Sequence, residues 1–295
     1  MKRWVRLGLA AVVTSAVAYV AVCVYVANEV TRVDRAPRER SPSEVGVQHE
    51  DVQLRTGDGL TLRGWFFAVS RDRAAIVVHG KDGNRLDSDH LARVARWLAE
   101  AGYSVLVFDL RGHGESEGER FSLGQQERRD VAAAVDHLVG RGFAMRRIAL
   151  VGESMGAGTV LQALALRPHV GAVVADSAYA DGRSIVAENA VAETGLPSVF
   201  TPGILLAARV LFGLDADAVD PERIVRSLPD RAFLFIHCDG DGTVSPRHAE
   251  RLGAASVDRR TELWMARGCG HVGASARHPD EYRRRLLDFL ATQMR

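Results

Sequence analysis

From Glu50 onward the chain alternates two hydrophobic rhythms. Unbroken apolar runs, "AAIVVHG", "SVLVFDL", "IALVG", "GAVVADS", "AFLFIHC" and "TELWMA", read as strands buried on both faces. Between them apolar residues recur at helical spacing, as at Leu91, Val94, Ala95 and Leu98, or at Val131, Ala134, Val135 and Leu138. Strand, helix, strand in repeated order predicts a mostly parallel sheet with helices on both faces, an α/β fold. Ahead of this, "DVQLRT" and "LTLRGWFFAV" alternate apolar and polar positions around Gly57-Asp58-Gly59, which predicts an antiparallel hairpin.

The N-terminus follows another pattern. After the basic "MKRWVR", the stretch Leu7 to Ala27 carries no charge and is long enough as a helix to cross a hydrocarbon layer of about 30 Å. It reads as a membrane anchor. Ala16-Val17-Ala18 offers a small-x-small cleavage site, but the apolar run continues to Ala27, where a signal peptide would have turned polar. Lys2, Arg3 and Arg6 flank one end and Arg32, Arg35, Arg38 and Arg40 the other, so the positive-inside count is nearly balanced. The short cationic head favours a cytoplasmic N-terminus and an extracytoplasmic main domain. Cys23 reads as packing within the span, because Val22 before it is too bulky for lipoprotein-type cleavage.

Residues 29–49 are charged and punctuated by Pro37 and Pro42, with neither helical nor strand period, and read as a stalk. The expected organisation is an anchor over 1–28, the stalk over 29–49 and one domain over 50–295. Residues 178–230 form a small helical excursion, longer than one crossover helix requires. Its apolar "FTPGILLAARVLFG" suits either an internally packed helix or a segment meeting an acyl group or a membrane surface.

Composition narrows the class. In 295 residues, Lys and Arg total 38 against 37 Asp and Glu, a net charge of +1. No basic run interleaved with aromatics is present, which argues against nucleic acid as a partner. Metal ligation lacks H-x-x-x-H or C-x-x-C spacing, and no glycine loop matches a phosphate or dinucleotide fingerprint, so no cofactor is expected.

The candidate chemistry centres on "GESMG", Gly152 to Gly156, between a buried strand and a helical pattern. A serine on such a strand-to-helix turn is a nucleophile elbow if a histidine and an acid reach it from loops after later strands. "DGDGTV" follows "AFLFIHC", and "RGCGHVG" follows "TELWMA", at the carboxyl ends of their strands. These loops nominate Ser154 as nucleophile, His271 as base and Asp241 as the orienting acid. Asp239 and Asp176 are competing acids. The oxyanion donors would be the backbone amides of Met155, directly after the serine, and Lys81, in "HGKDGN". His79, His113 and Glu153 read as structural.

Together "VVHGKDGN", "FDLRGHGESEG", "GESMG", "IHCDGDGTV" and "GCGHVG" resemble the alpha/beta-hydrolase superfamily. The anchor, the stalk and "DVQLRTGDGLTLRGWFF" are similar to its membrane-anchored branch of serine aminopeptidase-like, S33-type hydrolases. The resemblance covers roughly Val47 to Met294. It implies an eight-stranded sheet with the first strands antiparallel, and a Ser-His-Asp triad. Two departures stand out: His237-Cys238 replaces the usual His-Gly, and Val244-Ser245-Pro246 replaces Val-Pro.

The activity expected is hydrolysis of carboxylic esters or thioesters through an acyl-enzyme, on a small or lipid-derived acyl substrate. Amide or peptide hydrolysis by the same triad, and a non-catalytic membrane-tethered binding module, are the alternatives. Cys238 and Cys269 are expected as two small buried thiols, because neighbouring parallel strands rarely hold Cβ atoms at bridging geometry; a disulfide is the competing expectation.

Overall fold

The computed structural model describes residues 2–37 and 40–294, so Arg38 of the positive flank lies outside the described residues. The strands are β1 His49–Arg55, β2 Thr61–Phe67, β3 Ala74–Val78, β4 Ser104–Phe108, β5 Ile148–Glu153, β6 Ala172–Asp176, β7 Leu234–Cys238 and β8 Glu262–Ala266. The helices are α1 Lys2–Val30, α2 Asp89–Glu100, α3 Arg128–Gly140, α4 Met155–Ala163, α5 Gly182–Thr194, α6 Thr201–Phe212, α7 Pro221–Arg226, α8 Arg247–Ala255, α9 Ala274–Arg277 and α10 Pro279–Gln293.

The strands form one eight-stranded sheet in the order β1-β2-β4-β3-β5-β6-β7-β8. The β1 and β2 pairings are antiparallel, and β3 to β8 run parallel with β4, as the apolar runs require. β3 to β7 are buried along their whole length, which is why their sequences show no alternation. β8 differs from its expected burial on both faces: it is the sheet edge, with Glu262 and Leu263 in solvent. The hairpin turns at Thr56, whose amide and carbonyl pair with Leu60 and Gly59, and Gly59 takes φ +94°, where a side chain would be strained.

Two apolar clusters fill the two faces. One gathers Leu54, Val131, Ala134, Val135 and Leu138 with α4, and the other gathers Leu91, Val94, Ala95 and Leu98 with α10. The helical-period residues of α2 and α3 are thus the ones that cover the sheet. Burial of each such Leu or Val contributes on the order of 1.5–3 kcal/mol before chain entropy is subtracted.

The segment expected as a free stalk lies against the domain. Phe121 N–H donates to Thr31 O at 3.1 Å and Val33 N–H to Glu119 O at 3.1 Å. Arg35 donates to Gly114 O, Ser116 O and Gly118 O at 2.7, 2.9 and 2.7 Å. Arg35 therefore satisfies loop carbonyls, where a composition-based reading expects a solvated charge. α1 is apolar enough to cross a membrane; residues 3–18 are exposed, and from Tyr19 onward it packs on α6.

Candidate active site

β5 ends at Glu153 and α4 begins at Met155, leaving Ser154 alone on the turn with φ 50° and ψ −120°. A non-glycine residue there is strained, on the order of 1–3 kcal/mol, and persists because its surroundings fix it. Its amide donates to Asp176 O at 2.8 Å, and its carbonyl accepts from Gly158 N–H at 3.1 Å. Gly156 is required by contact: a Cβ would lie 2.3 Å from Val78 O, so β3 and α4 could not approach. The flanking glycines thus press the turn into the sheet edge and leave the serine projecting from it.

Asp241 and His271 arrive on the loops after β7 and β8. The His271 imidazole lies 2.8 Å from Asp241 Oδ2 through Nδ1 and 2.8 Å from Ser154 Oγ through Nε2. An ionised carboxylate only accepts, so Nδ1 carries the proton, and Nε2 of the neutral ring is left to accept from the serine hydroxyl. The Thr243 and Val244 amides, each 2.9 Å from Asp241 Oδ1, occupy the other oxygen. Burial opposes ionisation of Asp241, but hydrogen bonds from His237, His271 and Val244 outweigh it and hold its carboxyl well below the usual range. Asp239 is exposed and accepts from Gly268 N–H at 2.8 Å, so it is Asp241 that faces the histidine.

His237 is a neighbour that sequence reasoning did not find. Its Nε2 donates to Val244 O at 2.8 Å and lies 3.3 Å from Asp241 Oδ2. Burial pushes its pKa down, yet Asp241 and Val244 O raise it overall. His237 appeared only as half of an unusual dipeptide, and nothing in that spacing signals that the ring turns back toward the acid.

The two cysteines correct an expectation. Cys238 and Cys269 are bonded as a disulfide with Cα atoms 5.3 Å apart, so they are not two free thiols. The objection from strand geometry does not apply, because Cys238 pairs in the sheet with Ala266 and Cys269 lies beyond β8, in the loop that folds back over it. Gly240 N–H donates to Cys269 O at 3.2 Å on the same crossing. The bridge joins the Asp241 loop to the His271 loop.

A cavity of about 200 Å³ opens at Ser154, walled by Phe121, Tyr179, Ile185, Ile204 and Val244, with Val30 of α1 at its edge. Lys81 and Met155, the two expected oxyanion donors, both line it. Lys81 also reaches across it, with Nζ 2.8 Å from Glu193 Oε2 on α5 and 5.1 Å from the Phe121 ring centroid. His79 accepts from Leu110 N–H at 3.0 Å and His113 from Asp82 N–H at 3.2 Å, with Nδ1 of each on a carbonyl. Burial and the neighbouring His113 push the His79 pKa down to about 3, so its ring is a neutral brace for the loops. A serine on a strand-to-helix turn, an imidazole between it and a carboxylate, and a cavity at the serine meet the geometric requirements of nucleophile, base and orienting acid.

Comparison with known proteins agrees. Residues 70–227 match the family described as serine aminopeptidase, S33. The chain belongs to that family. Relatives of the chain include the uncharacterized protein YfhR of Escherichia coli K12, 28% identical over 255 residues, covering 83% of this chain and 81% of YfhR. YqkD of Bacillus subtilis, also uncharacterized, is 27% identical over 236 residues, 79% of this chain and 76% of YqkD. The Pyrococcus furiosus esterase Pf2001 superposes with a TM-score of 0.74 at 25% identity, covering 89% of this chain and all (100%) of that one. The S33 chain is thus an alpha/beta hydrolase whose solved neighbours include esterases.

Behind the elbow of this S33 protein lies a second group of acids. Glu153 and Asp176 are buried beside His90, whose Nε2 is 3.6 Å from Glu153 Oε2 and 3.8 Å from Asp176 Oδ2. Neither of those oxygens has a hydrogen-bond partner among the described residues. Burial, with the charges of Asp87 and Asp176, pushes the Glu153 pKa well up, and burial raises Asp176 to about 6. His90 is pushed down to about 3 by burial and then Arg93. Asp176 thus supports the elbow through its backbone carbonyl.

Proposed function

We propose that the protein is a membrane-anchored serine hydrolase that cleaves carboxylic ester or thioester bonds through an acyl-enzyme. The observation that carries this reading is the unbroken line Asp241, His271, Ser154, with both contacts at 2.8 Å. His271 Nε2 takes the hydroxyl proton as Ser154 Oγ attacks the carbonyl carbon, and the oxyanion that forms is held by the Lys81 and Met155 amides. Collapse breaks the bond to the leaving alcohol or thiol, which takes the proton from His271. Water then gives a proton to His271 and attacks the acyl carbon, and Ser154 leaves with its proton restored. Asp241 keeps Nδ1 protonated and stabilises the imidazolium of both steps.

The esterase name of Pf2001 supports ester over amide substrates. So does the pocket: Glu193 is its sole acid among the described lining residues and is already paired with Lys81, leaving no free carboxylate for a peptide amino terminus. The aminopeptidase description of the family favours the amide reading, so both substrate types belong in the test. The Cys238–Cys269 bridge supports an extracytoplasmic domain, since cytosolic thiols are kept reduced.

The test is labelling of the full-length protein by a fluorophosphonate probe beside Ser154→Ala, followed by turnover of acyl esters against aminoacyl amides. Labelling confined to the wild type supports an activated serine. Absence of labelling in folded wild-type protein would leave a binding module of the same fold.

A further inference from the structure

Resting on the serine-hydrolase reading, we infer that α6 inserts into the same leaflet as α1, so that the Ser154 pocket opens on the bilayer and takes an acyl ester borne by a membrane lipid. The first argument is length. At ~1.5 Å per residue the fully exposed part of α1 is short: from Leu7 to Ala18 about 18 Å, and even from Arg3 only about 24 Å. A hydrocarbon layer is about 30 Å thick. To span it, α1 must also submerge residues from Tyr19 onward, and those residues are the ones bound to α6.

The two helices run side by side in the same direction. Tyr19 Oη donates to Val199 O at 2.9 Å and its ring stacks on Phe200 at 5.1 Å. One turn on, a Cβ at Gly203 would lie 2.5 Å from Cys23 Sγ, so the contact is too close for any side chain. At the far end Arg120 sits 3.9 Å over the Phe212 ring and donates to Asn28 Oδ1 at 2.6 Å. Whatever depth Tyr19 and Cys23 reach, the first turns of α6 reach as well.

The second argument is the outward face of α6. Val199, Leu206 and Val210 are 65%, 62% and 70% exposed, and with exposed Pro202 they recur at helical spacing as one stripe. Arg209 is the sole charge of the helix, it pairs with Asp215, and it lies toward the end where Arg120 marks the polar level. An apolar start and a charged end match a helix entering a leaflet from the interface. The third is the pocket wall: Val30 of α1 and Thr201 and Ile204 of α6 line the cavity that ends at Ser154. An acyl chain from the leaflet would meet Val30, Ile204, Phe121 and Ile185 on its way to the serine, with the Lys81–Glu193 pair as the charged part of the wall.

The experiment uses the full chain with Cys23→Ala, in phosphatidylcholine/phosphatidylglycerol nanodiscs, with an environment-sensitive fluorophore on Leu206→Cys, Val210→Cys or, as the distant control, Val257→Cys. Spin labels on the lipid acyl chains are expected to quench the two α6 sites at least twofold more than Val257, which is exposed in the loop between α8 and β8. Equal quenching at all three overturns the insertion, as does absent quenching with a dimer seen by mass photometry, where a second copy covers the stripe. A companion Leu206→Asp/Val210→Asp variant is expected to hydrolyse a soluble butyrate ester within about twofold of wild type and a vesicle-borne lipid ester at least tenfold more slowly. Unchanged lipid-ester turnover overturns the substrate assignment. A wild type that neither labels with fluorophosphonate nor cleaves any ester removes the hydrolase reading and the substrate with it, and quenching still decides the insertion.

Discussion

Two acid–histidine groups flank the Ser154 turn, and they are built from the same side chains for opposite ends. In one, Asp241 is ionised, each of its oxygens is occupied, and the imidazole of His271 is strung between it and Ser154 Oγ. In the other, Glu153, Asp176 and His90 are buried with two carboxylate oxygens unpartnered among the described residues, and burial drives all of them toward the neutral form. The difference lies in the supply of N–H donors. The Asp241 loop turns two of its own amides onto the carboxylate, whereas burial outweighs the Ser177 hydroxyl on Asp176 and the Gly80 amide on Glu153. A buried carboxylate whose donors outweigh its burial is an anion fit to orient a base; where burial outweighs the donors it holds its proton.

The largest test of this contrast is removal of the relay. Ser154→Ala or His271→Ala is expected to cut ester turnover by roughly 10⁴-fold or more with the melting temperature little changed. Single-turnover assays with a chromogenic ester measure it. Turnover reduced by less than tenfold in either variant would mean that the aligned group is not the chemical one.

Next in size is the bridge between the two loops. Cys269→Ser, compared with wild type by denaturant unfolding, is expected to lose about 2–4 kcal/mol and to lose activity in proportion to the freedom given to His271. Unchanged stability would show that the loop hydrogen bonds hold Asp241 and His271 together unaided.

The second group predicts a pH effect of definite sign. Asp176 has a folded pKa of about 6, above its unfolded value near 3.9, so its contribution to stability is full below pH ~4 and is lost as pH rises through ~6. His90, pushed to about 3, acts in the reverse sense, its contribution present above ~6.5 and lost as pH falls. Because His90 is kept in both proteins, the difference between Asp176→Asn and wild type isolates the acid. That difference is expected to move in favour of the asparagine variant by up to about 3 kcal/mol between pH 4 and 7. Calorimetry across that range measures it, and a flat difference would mean that the donors on Asp176, Ser177 Oγ among them, offset its burial.

Smallest of all, Glu153→Gln and His90→Gln are expected to change kcat/KM by less than about tenfold, since neither side chain is in the Asp241, His271, Ser154 line. A loss of the size expected for His271→Ala would erase the distinction between the two groups.

Much of the site was legible because each catalytic candidate sits directly after a strand, where chain order and local glycines constrain it. Gly156 could be read as necessary before its contact with Val78 O was seen, since only close backbone packing demands a glycine on that turn. His237 was illegible for the converse reason: its approach to Asp241 depends on a ring rotation inside a buried strand end. The buried acids were hidden likewise, as Glu153 and Asp176 are ordinary residues until burial is known.

The sequence by itself therefore determined the strand and helix order, the parallel sheet, the apolar N-terminal helix and the identity of the serine, acid and histidine loops, because periodicity, glycine placement and chain order are local properties. Only the tertiary structure decided that Asp241 and not Asp239 meets His271, that Cys238 and Cys269 are bridged, that the segment after α1 is bound to the domain, and that α6 lies along α1. Those facts depend on angles between elements far apart in the chain, and an error of one residue or a few ångströms there leaves the sequence pattern unchanged while altering every contact.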